Sequence, residues 1–216
     1  MLIGAATHKL ILEPNTFHHE FVVWHGGRRA GNVWQEFKDE NASQDIITQT
    51  QFDDIRVMRD AVRNNPEASK LLSCGSAERS VFWRDEETGV LCRARADYQK
   101  KSGNSNILID LKTCMSAEPE KFAKDLINLG YPLQQAMYMD GFKSSAFAFI
   151  CIEKITNVVQ VYTLDDLFYE AGHFIYRQAL EQWAEHLQND HWPTYRTGVT
   201  QLDCPEWWAN KVLAYE

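Results

Sequence analysis

Residues 107–113 read Ile-Leu-Ile-Asp-Leu-Lys-Thr. An apolar run of this length, bounded by turn signals, is a buried strand. In a strand, alternate side chains leave from the same face, so Asp110 and Lys112 project together. A buried strand has no packing reason to set an acid and an amine side by side. Phosphodiester chemistry supplies one. A carboxylate holds a divalent cation, and a neighbouring amine holds the attacking water or the charge that builds on phosphorus.

The rest of the chain arranges itself around that strand. Residues 78–84, 90–98 and 106–112 have strand patterning. Residues 85–89 form a hairpin turn between the first two, and Ser102-Gly103-Asn104 lies between the second and third. Upstream, a helix over 1–12 stops at Glu13-Pro14. A short strand covers 20–24, and 25–31 is a loop. Asn32 caps a helix through Lys38. A longer helix covers 50–64, ended by Asn65-Pro66, and a short one runs to Leu72. Downstream, Ser116 caps a helix to about Leu129, which Gly130 ends, and Pro132 opens a helix to about Lys143. Strands follow at 146–153 and 158–163, then an amphipathic helix from Asp165 to Gln188. The tail is irregular around Trp192-Pro193, and Pro205 begins a final helix. This order predicts an α/β fold with a mixed central β-sheet flanked by helices, in one domain spanning 1–216.

Composition narrows the class. At 216 residues and 44% hydrophobic, the chain can bury a sizeable core. No apolar stretch is long enough to span a membrane. The opening residues lack a basic leader and a long apolar region, so no secretory signal is expected. Five cysteines without Cys-x-x-Cys spacing fit a reducing cytoplasm and argue against a zinc ribbon or an iron–sulfur cluster. The net charge of −8 weighs mildly against a nucleic-acid partner. A metal site would account for part of that acidity, and a local basic groove is compatible with an acidic remainder.

Four segments carry residues able to converge. Asp97 ends the strand that starts Leu91-Cys92-Arg93-Ala94-Arg95-Ala96, and Asp110 and Lys112 lie on the next, so adjacent strands bring the two acids within reach of one ion. Gln134 and Tyr138, four apart on a helix, share a face. His8 follows the small residues Gly4, Ala5 and Ala6. Arg93 and Arg95 alternate on one strand face and could meet phosphates, although a solvated face is as good a reading. The same two readings apply to Arg28 and Arg29 in their glycine-rich loop. His18 and His19 are adjacent and share no face, so they are not a zinc pair. Seven tryptophans are mostly core or interface.

Four stretches taken together resemble a known family: Gly89–Asp97, Ile109–Thr113, Tyr131–Tyr138 and the opening Gly4–Pro14. They are similar to the RecE-type exonucleases of the PD-(D/E)XK superfamily, close to the RecB nuclease domain. Trp192-Pro193 and Pro205-Glu206-Trp207 are similar to that family's C-terminal signature. The chain begins only a few residues before the His motif, whereas relatives usually carry more helix upstream. The resemblance implies a restriction-endonuclease-like core. His8, Asp97, Asp110 and the Leu111 carbonyl would ligate the metal, Lys112 would be the catalytic lysine, and Gln134 and Tyr138 would orient the site or contact DNA. Glu78 matches an acidic position before the first core strand and could serve a second ion.

The function so implied is an Mg²⁺-dependent exodeoxyribonuclease, with Mn²⁺ as the alternative ion. It would degrade one strand of duplex DNA from its ends, 5′→3′, leaving a 3′ single-stranded tail for recombination by strand annealing. The resemblance also implies a homo-oligomeric ring, tetrameric or trimeric. A single-strand annealing protein would be its partner in the cytoplasm of a bacterium or phage-infected host, with no membrane contact. The alternatives are a structure-specific endonuclease, a single-strand exonuclease, or an inactive DNA-binding module. The intact Asp97, Asp110 and Lys112 argue against the last.

Overall fold

A computed structural model of the chain describes residues 2–103, 105–195 and 198–213. The N-terminal part is helical, with one small sheet. It comprises α1 (Leu2–Leu12), the single turn α2 (Phe17–Glu20), β1 (Phe21–Trp24), α3 (Asn32–Glu40), β2 (Asp45–Thr48), α4 (Gln49–Asn64) and α5 (Pro66–Leu71). β1 and β2 pair in parallel, Phe21 opposite Asp45 through Trp24 opposite Thr48. Thr48 and Gln51 form a reciprocal capping box that starts α4. The main sheet then begins with β3 (Ser76–Arg84), β4 (Leu91–Ser102) and β5 (Ser105–Cys114). Next come α6 (Pro119–Asn128), α7 (Tyr131–Phe142), β6 (Ala146–Glu153), β7 (Val159–Tyr162), α8 (Asp166–Asn189) and α9 (Glu206–Leu213).

The five strands β3 to β7 stand side by side in chain order. All neighbours are antiparallel except β5 and β6. A parallel pair cannot be joined by a tight turn, and α6 and α7 provide the crossover. Gly130 makes the corner between those helices at a φ of +70°, a conformation that costs a glycine little.

Strand alternation sorts the core into two layers. Ile109, Leu111, Ile150 and Ile152 pack with Ala6 and Leu10 of α1 and Ile55, Met58 and Val62 of α4. On the opposite face Leu108, Phe147, Phe149 and Cys151 pack with Phe122 and Leu126 of α6. A smaller cluster of Cys92, Tyr176 and Leu180, with Trp83, Leu133 and Met137, seats the β3–β4 hairpin against α7 and α8. Each fully buried Leu, Ile, Val, Phe or Met among them contributes about 1.5–3 kcal/mol. Gly4 explains the small residues of α1, since a Cβ there would stand 3.3 Å from Thr113 Oγ1.

One irregularity creates the site. The β4–β5 ladder runs from Ser102 opposite Ser105 to Tyr98 opposite Ile109 and ends there. β4 continues on its other side with β3 to Arg84 opposite Leu91. The two strands therefore fork at Asp97.

The predicted order of elements is present, with local corrections. Asn32 does not cap α3. Gly31 takes the cap position at a φ of +83°, and Asn32 is the first helical residue. Ser116 does not cap α6 either. The helix waits for Pro119, whose fixed φ suits a first turn, and Ser116 Oγ accepts from the Glu118 amide at 3.3 Å. Asp97 does not end its strand, which runs on to Ser102. β2 and α2 were not expected, because four residues are too few to show a period. Asn104 of the predicted connection lies outside the described residues. No described helix is long and apolar enough to cross a membrane.

Candidate active site

The centre is built on β5. Asp110 is almost fully buried, and the Lys112 amine lies 2.7 Å from its Oδ2. Gln134, one turn into α7, bridges the two. It donates from Nε2 to Asp110 Oδ1 at 2.5 Å, and its Oε1 accepts from Lys112 at 3.0 Å. The amine also stands 4.2 Å from the centre of the Tyr131 ring, a favourable place for a cation. Burial acts to lower the Lys112 pKa. Asp110 opposes it, aided by Tyr131 and Asp97, and the net shift is upward. The amine is thus held charged beside the acid.

Asp97 enters from the fork. Its Oδ2 accepts from the Leu111 amide at 2.8 Å and lies 3.4 Å from His8 Nδ1 on α1. Burial, with the nearby charge of Asp110, raises the Asp97 pKa to about 8. Two carboxylates held this close in a dry site do not both ionise readily without a compensating cation. Burial lowers the His8 pKa against the pull of Asp110, with the Leu111 backbone beside the ring. The imidazole is therefore neutral, the form that ligates a metal.

These residues suit a divalent cation. Asp110 Oδ2 is buried and, despite its distance from Lys112, receives no hydrogen bond. The 2.7 Å separation makes an ion pair, but the approach lacks hydrogen-bond direction. The Lys112 ammonium offsets part of the cost of burying that oxygen, and its remaining lone-pair directions are open to a second cation. Two carboxylates, a backbone carbonyl and one imidazole make a mixed oxygen and nitrogen set, suited to Mg²⁺ and more so to Mn²⁺. Among the described residues, no group of three or more His, Cys, Asp or Glu side chains is placed to hold a metal ion by itself.

The remaining predicted residues divide into two groups. Glu78 lines a cavity of about 300 Å³ with His8, Asp97 and Arg95. It pairs with Arg95 at 2.9 Å, and burial raises its pKa. Its φ of +51° is unusual for a non-glycine residue and is the kind of strain that collects at working sites. Tyr138, one turn beyond Gln134, borders an adjoining cavity of about 370 Å³ with Arg93 and Arg95. Arg28 and Arg29 line neither cavity. Arg29 instead donates to the Ile46 carbonyl at 2.8 Å and lies over the Trp34 ring.

Three features have no clear signal in the sequence. Tyr131 falls within a recognisable motif that gives it no role, yet it faces the lysine. Lys9 is bound by Glu13 at 2.9 Å and Glu20 at 2.6 Å on the rim of the His8 cavity. The only hint of it is the i,i+4 spacing to Glu13. Arg177 of α8 grips Asp85 in the hairpin turn and reaches Glu87 at 2.9 Å. No local pattern announces a pair so far apart in sequence.

The sequence profile of a family described as a PDDEXK-like domain of unknown function (DUF3799) matches residues 1–202. No sequence among the curated proteins matches the chain. Among solved structures, the fold is similar to that of a "putative exonuclease" from Eubacterium rectale. The TM-score is 0.61 and the identity 12%, over 94% of this chain and 76% of that one. A likeness at that identity speaks to the fold alone. The structure of SSO0001 is a looser match, with a TM-score of 0.38 and 19% identity over 65% of this chain and 61% of that one. A likeness that loose carries no argument about fold or function.

Proposed function

The chain belongs to the PDDEXK-like family, and on that premise we propose that it is a divalent-metal-dependent exodeoxyribonuclease. It degrades one strand of duplex DNA from its end, 5′→3′, and leaves a 3′ single-stranded tail for annealing. The observation that carries this reading is the meeting of Asp97, Asp110 and Lys112 at the fork of β4 and β5, with Asp110 Oδ2 lacking a hydrogen bond. The preference for an exonuclease over an endonuclease rests on the sequence resemblance stated above. The strand direction and the annealing role rest on the RecE-type resemblance.

Asp97, Asp110, the Leu111 carbonyl and His8 would hold Mg²⁺ or Mn²⁺. When bound, such an ion supplies Lewis-acid charge at the phosphate and lowers the pKa of water. The other groups work around it. Lys112, kept protonated, sets positive charge where the phosphate becomes more negative. Gln134 fixes both the acid and the amine through its two hydrogen bonds, which limits the reorganisation needed during reaction. His8, neutral, offers a lone pair without adding charge.

Release of acid-soluble nucleotides with Mg²⁺ tests the assignment. The wild type digests linear duplex and Lys112→Ala falls by at least about a hundredfold. Equal release by both proteins would overturn the role of the lysine. Duplexes labelled at the 5′ or the 3′ end fix polarity. Cleavage of a covalently closed circle would instead favour the endonuclease.

A further inference from the structure

The outer face of the β3–β4 hairpin carries a feature that the acid centre does not use. β4 alternates strictly, with Cys92, Ala94 and Ala96 buried and Leu91, Arg93 and Arg95 exposed. The same face ends at Asp97. Across the ladder, Ser80 stands opposite Arg95 and Phe82 opposite Arg93. Phe82 is 66% exposed. Burying it would stabilise the fold, and this position forgoes that gain. A single exposed aromatic is ordinary on a surface. This one borders a cavity of about 370 Å³ with Ser80, Arg93, Arg95 and Tyr138. Arg95 also lines the adjoining cavity with His8 and Asp97. The two hollows therefore meet at one guanidinium, and the arginines step away from the acids at about 7 Å intervals.

We infer that this hairpin face is a track for single-stranded DNA leading to the acid centre, with Phe82 as a base-stacking platform and Arg93 and Arg95 as phosphate contacts. The inference rests on the DNA-processing reading above. Charge complementarity selects the occupant. The chain carries a net charge of −8, yet Arg84, Arg93 and Arg95 all lie on this face, with Glu78 as their acidic neighbour near the centre. A flexible polyanion with π-faces fits an aromatic ring between guanidinium groups. β3 is the edge strand of the described five-stranded sheet, and Phe82, Arg93 and Arg95 on this face are exposed. Arg95 exchanges its Glu78 carboxylate for a phosphate when the strand is present.

Fluorescence anisotropy with labelled single-stranded oligothymidylate in EDTA measures binding without cleavage. Phe82→Ala raises Kd about tenfold, and Phe82→Trp restores affinity. Its exposure means that truncation leaves the fold intact, which a thermal melt verifies. An abasic oligonucleotide binds wild type and Phe82→Ala alike. Arg93→Gln and Arg95→Gln each flatten the slope of log K against log salt by about 0.7. Wild-type affinity in Phe82→Ala, or unchanged slopes in both arginine variants, overturns the inference. Nucleotide release with Mg²⁺ is scored separately. Release together with indifference to Phe82 removes the track and spares the nuclease. Phe82-dependent binding without release does the reverse.

Discussion

The Asp97 carboxylate accepts a hydrogen bond from the Leu111 amide at 2.8 Å, where β4 and β5 cease to pair. A forked sheet strands backbone donors, and a buried amide without a partner costs about 1–3 kcal/mol. Here a side chain takes the place that a strand carbonyl would have filled. The acid is therefore both a structural acceptor and a candidate ligand, and its two roles can be separated.

Asp97→Asn keeps an acceptor for Leu111 and removes a carboxylate whose charged form burial disfavours. Its stability equals or exceeds that of the wild type, while nucleotide release falls by about a hundredfold or more. Asp97→Ala leaves the amide unpaired and unfolds about 2 kcal/mol more easily than Asp97→Asn. Urea denaturation of the three proteins measures the gap. Equal stability of the Ala and Asn variants would show that the hydrogen bond is idle.

Adding Mn²⁺ or Mg²⁺ to the metal-free chain raises its melting temperature. At about a hundred times Kd the linkage amounts to about 2.7 kcal/mol. Asp110→Asn removes the unsatisfied oxygen and the charge, so its melting point stays flat across the same titration. A wild type whose melting point ignores saturating divalent ion would rule out ligation at this site.

The Arg177 guanidinium beside Asp85, with hydrogen bonds from Thr88, holds the Asp85 carboxyl well below its usual 3.8. A depressed carboxyl stabilises the fold fully above the unfolded value and loses that contribution as pH falls toward the folded one. Between about pH 6 and pH 3 the wild type therefore loses more unfolding free energy than Asp85→Asn. At neutral pH the variant, which leaves Arg177 half-paired, is about 3 kcal/mol weaker. Equilibrium unfolding over that range records both curves, and parallel curves would contradict the pairing.

α7 and α8 touch through backbone at Gly172. A Cβ there would stand 2.1 Å from the Pro132 carbonyl oxygen. Neither element is a flexible side-chain end, so the helices must separate to admit a methyl group. Gly172→Ala destabilises by about 3 kcal/mol, although alanine is the better helix former. A chemical melt showing a gain in stability would mean that the helices are free to slide.

Elements with a long period are legible in the sequence. The amphipathic α8 and the run into Asp110 announce themselves, and strand alternation alone sets Asp110 and Lys112 on one face. The resemblance groups His8 with the acids, and the fold places it 3.4 Å from Asp97. Three kinds of information are not local. The four residues of β2 have no period. The fork at Asp97 depends on which strand stops pairing, and the Arg177–Asp85 contact spans 92 positions. Capping defeats the sequence pattern at Asn32 and Ser116, because a neighbouring glycine and a nearby proline decide where each helix starts.

Two polar anchors bracket the stretch of the β3–β4 hairpin that carries Asp97. Its base is stitched to β5 between Tyr98 and Ser102, and its tip is pinned to α8 by Arg177. Asp97 lies on the span between those anchors, whereas Asp110 belongs to the interior sheet. A guanidinium on a helix that supplies nothing to the chemistry therefore anchors the far end of the hairpin that carries one of the two acids.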